Sequence, residues 1–318
     1  MKAFITGGAG FIGSHLTDRL LELGHTVTVF DNFSTGRRRF LAEADGKSGF
    51  RLVEGDLLDL ADLQEAMAGS DQVFHLAANA DVRFGTQHPR KDLDQNTIGV
   101  FHVLEAMRAQ GIRRIAFSST GSVYGEPEIF PTPEDAPFPI QTSLYGASKL
   151  AGEGLIAAYC SGFGFQAHIF RFVSILGERY SHGHVFDFYK QLREHPEQLN
   201  VLGDGHQRKS YLYVEDCVRA ILLALDQAAA PVHLFNLGVD DTCEVMDSIR
   251  WICEEMKIHP RIVYSGGRRG WVGDSPLIHL DCSRIRALGW KPERSIEEGV
   301  RLTLNYLTAN SWLLEDPA

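Results

Sequence analysis

The stretch Lys2-Ala3-Phe4-Ile5-Thr6-Gly7-Gly8-Ala9-Gly10-Phe11-Ile12-Gly13-Ser14-His15-Leu16 decides how the rest of the chain reads. Lys2 to Thr6 is a short apolar run with strand character. Gly7, Gly10 and Gly13 follow at three-residue spacing, and Phe11, Ile12, Leu16, Leu20, Leu21 and Leu23 then recur with helical period. A glycine-rich turn between a strand and a helix is a phosphate site. Its bare backbone lets a pyrophosphate come close, and the helix N-terminus presents unpaired N–H groups and the positive end of its dipole. A second strand, Thr26 to Phe30, ends in Asp31. An acid at that place is set to hold the adenosine ribose hydroxyls of NAD, and it would repel the 2′-phosphate of NADP.

The chain has 318 residues, 44% of them hydrophobic, which suits one large α/β domain and a smaller one. The formal net charge is −10, and the longest basic run, Arg37-Arg38-Arg39, reads as a solvated loop. Nucleic acid is therefore not an expected partner. Cys160, Cys217, Cys243, Cys253 and Cys282 lie far apart with no Cys-x-x-Cys, which fits neither a disulfide framework nor a zinc site. His182 and His184 form an His-x-His without a third ligand in view, so no metal is expected. No apolar run approaches transmembrane length, so no membrane association is expected. The chain opens on a core strand, so no signal peptide is expected either, and a reducing cytoplasm is the expected compartment.

Strand and helix patterns alternate through the first half. Strands are expected at Arg51 to Glu54, Gln72 to Ala77, Arg114 to Ser119 and Gln166 to Phe172. Helices are expected near Leu60 to Ala68, Asp92 to Gln110 and Ser143 to Tyr159. This alternation argues an α/β fold with a doubly wound parallel sheet. The second half has shorter elements and more loops. It reads as a smaller α/β substrate domain over residues 176–318, after a nucleotide-binding domain over 1–175, with some late segments returning to the large domain.

The chemistry concentrates where the strand Ile115-Ala116-Phe117 runs into Ser118-Ser119-Thr120-Gly121-Ser122. Open α/β sheets place ligands at such C-terminal strand ends. Some twenty residues on, Tyr145 and Lys149 stand at i and i+4, on one helix face. A phenol of pKa about 10 is a poor base at neutral pH. A nearby ammonium and the positive nicotinamide ring would favour the phenolate. Tyr145 could then take a proton from a substrate alcohol while hydride leaves for the cofactor, with Thr120 hydrogen-bonded to the same oxygen.

In this order, Thr6-Gly7-Gly8-Ala9-Gly10-Phe11-Ile12-Gly13, Asp31-Asn32, Gly55-Asp56-Leu57, His75-Leu76-Ala77-Ala78, Asn96, Ser118-Ser119-Thr120, Tyr145-x-x-x-Lys149, Arg171-Phe172 and Tyr211-Leu212-Tyr213-Val214-Glu215-Asp216 span nearly the whole chain. The chain resembles the extended short-chain dehydrogenases/reductases, in the nucleotide-sugar epimerase/dehydratase group. The resemblance implies a Rossmann domain with tightly held NAD, a nucleotide-diphosphate sugar, and a homodimer paired through a four-helix bundle. It implies that Asp31 and Asn32 hold the adenosine ribose and that Asp56 and Leu57 flank the adenine. Leu76, Ala77, Ala78, Asn96 and Ser118 would line the cofactor cleft. Lys149 would also hold the nicotinamide ribose, and Thr120 and Tyr145 would be the catalytic pair. Substrate contacts are implied at Arg83, Ser122, Ser174, His184, Val185 and Leu202.

Within the group, 4,6-dehydratases carry an Asp-Glu pair after the position of Thr120, and uronate decarboxylases a nearby Glu. This chain has Gly121-Ser122, neither of them an acid. It is therefore most similar to UDP-sugar 4-epimerases, which oxidise the C4 hydroxyl and return the hydride to the other face. Alternatives are a nucleotide-sugar dehydratase or reductase, a UDP-uronate 4-epimerase and, more remotely, a non-catalytic NAD-binding regulator. The chain departs from the family pattern at Ser174, where Asn is usual, and at Lys209, where an Arg is usual, with Arg208 just before it. Either of these cations could bind the diphosphate, Lys as a point charge and not a fork. Arg269 matches the second phosphate arginine. Ile278 is the candidate gate for the sugar's 2-substituent, which leaves glucose/galactose, N-acetylhexosamine and uronate open.

Overall fold

The computed structural model describes residues 1–79, 85, 87–137, 140–227, 229–271 and 273–315. The strands, in chain order, are β1 (Lys2–Thr6), β2 (Thr26–Asp31), β3 (Phe50–Glu54), β4 (Gln72–His75), β5 (Arg114–Thr120), β6 (Gln166–Phe172), β7 (Ser174–Leu176), β8 (Gln198–Val201), β9 (Arg208–Lys209), β10 (Tyr211–Tyr213), β11 (Val232–Leu237), β12 (Cys243–Glu244), β13 (Arg261–Tyr264) and β14 (Leu277–Ile278). The helices are α1 (Phe11–Glu22), α2 (Leu60–Met67), α3 (Pro89–Leu93), α4 (Gly99–Gln110), α5 (Leu144–Phe163), α6 (His184–Glu194), α7 (Val214–Ala224), α8 (Val245–Met256), α9 (Ser283–Arg286) and α10 (Ile296–Ala309).

Seven strands form one parallel sheet in the order β11-β6-β5-β4-β1-β2-β3. Alternation along each strand splits the core in two. Phe4, Phe30, Val73, Ile115, Phe117 and Ile169 join Leu63, Leu104 and Ile156 of α2, α4 and α5 on one face. Ala3, Ile5, Val29, Phe74, Ala116 and Phe170 join Leu16 and Leu20 of α1 and Val218 and Ile221 of α7 on the other. Covering both faces is what lets the strands be apolar throughout. The strand order reverses at β1 and β4, and such a switch point opens a crevice at the strands' C-terminal ends.

The second half builds three small sheets, β10-β7, β12-β9-β14 and β13-β8, packed with α6, α8 and α10. The boundary expected after residue 175 falls inside β7. From the second half, β11 pairs with β6 at the edge of the large sheet.

Three boundaries differ from the sequence reading by more than a single residue. The strand expected to reach Ala77 ends at His75, because Leu76 to Ala78 leave the sheet. The helix expected from Asp92 begins at Pro89 and carries a π-turn at Asp94–Ile98 between α3 and α4. Helix α5 runs on to Phe163 and stops where Gly164 takes φ 67°.

A buried ion pair pins α5 to the sheet. Arg171 of β6 donates from Nη2 to Glu153 Oε2 at 2.7 Å and from Nε to Oε1 at 3.0 Å. Arg171 Nη1 also donates to the Glu134 carbonyl at 3.1 Å, and the Ser119 hydroxyl of β5 donates to Glu153. Removing one partner leaves an uncompensated buried charge. Arg171→Met should therefore lower stability by about 3–5 kcal/mol, read as a lower urea midpoint at unchanged m-value. Adding Glu153→Met should recover part of that loss.

Candidate functional site

A cleft of about 760 Å³ opens along the C-terminal edge of the large sheet and extends under the second half. At one end it is lined by Gly7, Gly10, Phe11, Ile12 and Gly13, by Asp31, Asn32 and Leu57, and by Leu76, Ala77, Ala78 and Ser118. Thr120, Tyr145 and Lys149 line its middle. Ser122, Ser174, His184, Leu202, Lys209 and Ile278 line the remainder.

The first end fits a dinucleotide. Helix α1 starts at Gly10 with no side-chain cap, so its first N–H groups remain for an anion. The turn is too tight for side chains. A Cβ on Gly13 would stand 2.2 Å from the Gly7 carbonyl oxygen, and one on Gly7, at φ +71°, would stand 2.6 Å from the Ala77 nitrogen. Asp31 accepts the Ala9 N–H and the Phe33 N–H, each at 2.9 Å and on different oxygens. A carboxylate has further acceptor sites for ribose hydroxyls. Burial raises its pKa, against those two backbone bonds.

Strand β5 delivers Thr120, and α5 delivers Tyr145 and Lys149 one turn apart. Ser143 caps α5 by accepting the Gly146 N–H at 3.0 Å, which fixes the turn that carries Tyr145. Lys149 is fully buried, its Nζ 4.6 Å from the centre of the Phe117 ring. The sequence reading expected Lys149 to lower the Tyr145 pKa. Among the protein's own groups burial dominates instead and pushes the phenol up to about 12, with a Thr120 hydrogen bond opposing it and the Asp92 charge adding to it. Burial likewise pushes Lys149 down to about 7, against the Glu153 charge. Both groups share one dehydrated pocket, which disfavours either charge.

In the far part, Lys209 Nζ donates to Asp274 Oδ1 at 2.7 Å and lies 4.7 Å from the Trp271 ring centre. His184 is half-buried, with Nε2 2.8 Å from Ser248 Oγ. Burial and then the Lys209 charge bring its pKa down to about 3. Ile278 Cγ2 would lie 3.7 Å from a Cβ placed on Gly121, so the candidate gate stands beside the end of β5.

Five expected residues do not line the cleft. Asp56 accepts from Asn32 Nδ2 and the Leu58 N–H, both at 2.9 Å, and so supports the ribose-side loop. Asn96 is buried, donating to the Asn79 carbonyl at 3.1 Å and to Ser148 Oγ at 3.1 Å. Val185 is packed in the core under α6. Arg208 is exposed, because neighbours on a strand point to opposite faces. Arg269 is half-exposed and paired with Glu126. Arg83 lies outside the described residues. The sequence reading missed Trp271 and Asp274, whose signal was an aromatic and an acid closing the glycine-rich Gly266–Gly273 loop. It also missed Glu153, which continues the i, i+4 series of Tyr145 and Lys149. Among the described residues no group of three or more His, Cys, Asp or Glu side chains is placed to hold a metal, and no helix is long and apolar enough to cross a membrane.

Residues 3–238 match the NAD dependent epimerase/dehydratase family. The chain belongs to that family. It is 34% identical to a putative UDP-glucose 4-epimerase of Methanocaldococcus jannaschii, over 96% of this chain and 98% of that one. Among solved structures of the family, a UDP-galactose 4-epimerase superposes with a TM-score of 0.87 at 38% identity, over 98% of this chain and 100% of that one. The UDP-glucose 4-epimerase of Thermotoga maritima, solved with UDP-glucose, gives 0.88 at 33% identity over 98% and 100%.

The Asp31 geometry sets a first expectation for a family member. Cofactor-stripped protein should bind NAD at least about tenfold more tightly than NADP, since a 2′-phosphate would meet a buried carboxylate. Isothermal titration with both dinucleotides measures the ratio, and equal affinities would remove Asp31 from this role.

Proposed function

We infer that this chain is an NAD-dependent 4-epimerase of UDP-hexoses, glucose/galactose type, working through a transient 4-keto sugar. The observation that carries this reading is the wall around Thr120 and Tyr145. Its next lining residues are Gly121, Ser122, Ser174 and Ile278, none of them an acid. Among the described residues, the carboxylates that line the cleft are elsewhere or engaged: Asp31 ends β2, Asp187 and Glu194 belong to α6, and Asp274 holds Lys209. Elimination across C5 and C6 needs a group to move a carbon-bound proton, whereas oxidation and reduction at C4 do not.

When bound, oxidised NAD supplies a hydride acceptor for C4 and a positive ring whose charge favours the phenolate. Gly7, Gly10 and Gly13 with the start of α1 would hold its pyrophosphate, and Asp31 its adenosine ribose. Lys149 would hold the nicotinamide ribose. The Tyr145 oxygen takes the C4 hydroxyl proton and later returns it, and Thr120 orients both oxygens. Lys209 faces the diphosphate as a point charge, with Trp271 and Asp274 fixing its direction. Residues 1–175 would act as the cofactor unit and 176–318 mainly as the sugar-nucleotide unit.

Two copies of the chain would pair through α3, α4 and α5 as a four-helix bundle. Leu93, Ile98 and Phe101 on the first pair and Leu144 and Phe163 on α5 are exposed apolar side chains, an arrangement that suits a second copy. Five unpaired cysteines, four of them buried, suit a reducing cytoplasm.

The test of the activity is incubation with UDP-glucose, UDP-galactose, their N-acetyl forms and UDP-glucuronate, with separation of C4 epimers. Interconversion of the hexose pair is expected. Conversion of UDP-glucuronate alone would move the assignment to uronate epimerisation, and a 4-keto-6-deoxy product would move it to dehydration. Tyr145→Phe should lower turnover by about two to four powers of ten with NAD content retained, and a near-native rate would exclude Tyr145 as the base. Light scattering should give the mass of a dimer, and Leu93→Glu with Phe101→Glu should give a monomer.

A further inference from the structure

Between β7 and α6 the chain crosses from the substrate side of the cleft to the cofactor helix and back. This segment, Gly177 to Gly183, is tied on two sides through Gly177, Glu178, Arg179 and Tyr180. On the substrate side the Gly177 N–H donates to Thr303 Oγ1 of α10 at 2.8 Å, and the Tyr213 hydroxyl of β10 donates to Glu178 Oε2 at 2.7 Å. On the cofactor side it meets α1 along one face. Phe11, His15 and Asp18 stand at i, i+4 and i+7, which line up on a helix. The Tyr180 ring packs edge-on against Phe11 with centres 5.6 Å apart. His15 Nε2 lies 3.0 Å from the Glu178 carbonyl oxygen. Arg179 Nη2 lies 2.7 Å from Asp18 Oδ2, with side chains only 14% and 15% exposed.

Those contacts are not needed to shape the cleft floor, which the sheet already provides. They place Tyr180, His182 and Gly183 in the cleft wall beside Phe11, at the mouth of the glycine-rich turn. Arg179 holds φ 64°, an unusual value for a residue with a side chain. Such a backbone persists where its surroundings over-determine it, and here the partner is Asp18.

We propose that Gly177–Gly183 is a retention strap, latched to α1 by the Arg179–Asp18 pair, that keeps the dinucleotide from leaving. The proposal rests on the NAD-dependent reading above and adds its kinetic condition. An epimerase must give back to the ketone the hydride it removed. If the reduced cofactor left while the ketone was bound, the sugar would be stranded half-way. Opening of the cofactor end must therefore be slower than turnover. A latch reaching from the substrate side to the pyrophosphate helix meets that condition without adding a group to the reacting centre.

The test is the rate at which purified holoprotein releases NAD into excess buffer, followed by rapid filtration, for wild type, Asp18→Asn, Arg179→Gln and the double variant. Each single change should speed release by about tenfold or more. The double variant should release no faster than the faster single, because the two residues form one latch. Turnover in excess NAD should stay near wild type, while turnover after dialysis should fall. If Asp18→Asn does not fold, Arg179→Lys, which keeps the charge and loses the Nη2 contact to Asp18, reports the same quantity. Folded variants that release NAD at the wild-type rate would overturn the strap and leave the cofactor reading intact. A wild type that neither carries nor binds NAD would overturn both.

Discussion

The ion pair between Glu153 and Arg171 holds the helix that carries Tyr145 and Lys149 in place. Glu153 lies one helical turn beyond Lys149 and two beyond Tyr145, so the carboxylate that anchors α5 to β5 and β6 fixes both side chains in azimuth and height. Its worth is positional. A buried pair gains little net stability over apolar packing, but each partner left alone is costly. The network continues outward: Arg171 lies over the Tyr124 ring at 4.6 Å, and the Tyr124 hydroxyl donates to Asn236 Oδ1 at 2.8 Å. Asn236 is the next-to-last residue of β11, the strand that returns from the second half. The same polar core therefore aligns α5 with the last strand of the sheet.

Burial acts on the two groups of the Tyr–Lys pair in opposite directions. The phenol is driven toward its neutral form and the ammonium toward its neutral form, and each is held back by one named partner, Thr120 or Glu153. A pocket poised this way responds strongly to one added positive charge, since a dehydrated site screens little. His75 lies behind these groups, stacked on Phe117. It is wholly buried, 2.7 Å from Thr6 Oγ1, and burial with the Lys149 charge brings it down to about 3. As the last residue of β4, it links that strand to Thr6 at the end of β1 through a neutral side chain.

The far part of the cleft works by a different device. Lys209 is the cation facing the cleft there that the sequence singled out, and Asp274 neutralises it at 2.7 Å while also accepting the Gly270 N–H at 2.9 Å. One acid thereby sets the direction of Lys209 and the conformation of the loop that carries Trp271. Arg208 and Arg269, which looked equally suited by position, are directed away, one by strand alternation and the other by Glu126.

Local patterns in the chain encode the parallel α/β sheet, and they point to the glycine turn, Asp31 at the end of β2, and Thr120, Tyr145 and Lys149, which the fold brings to one cleft. Each of these is a local pattern, with spacing fixed by strand period, helix period or the room a Cβ would take. Tertiary structure alone decided which of two adjacent cations enters the cleft, that Asp56 and Asn96 brace the site from behind, and that Asp274 answers Lys209. It also decided that burial, ahead of Lys149, governs the phenol. These outcomes depend on contacts between residues far apart in the chain, such as Lys209 with Asp274 or Arg171 with Glu153. They depend as well on how much water the assembled cleft excludes, and no local spacing encodes either.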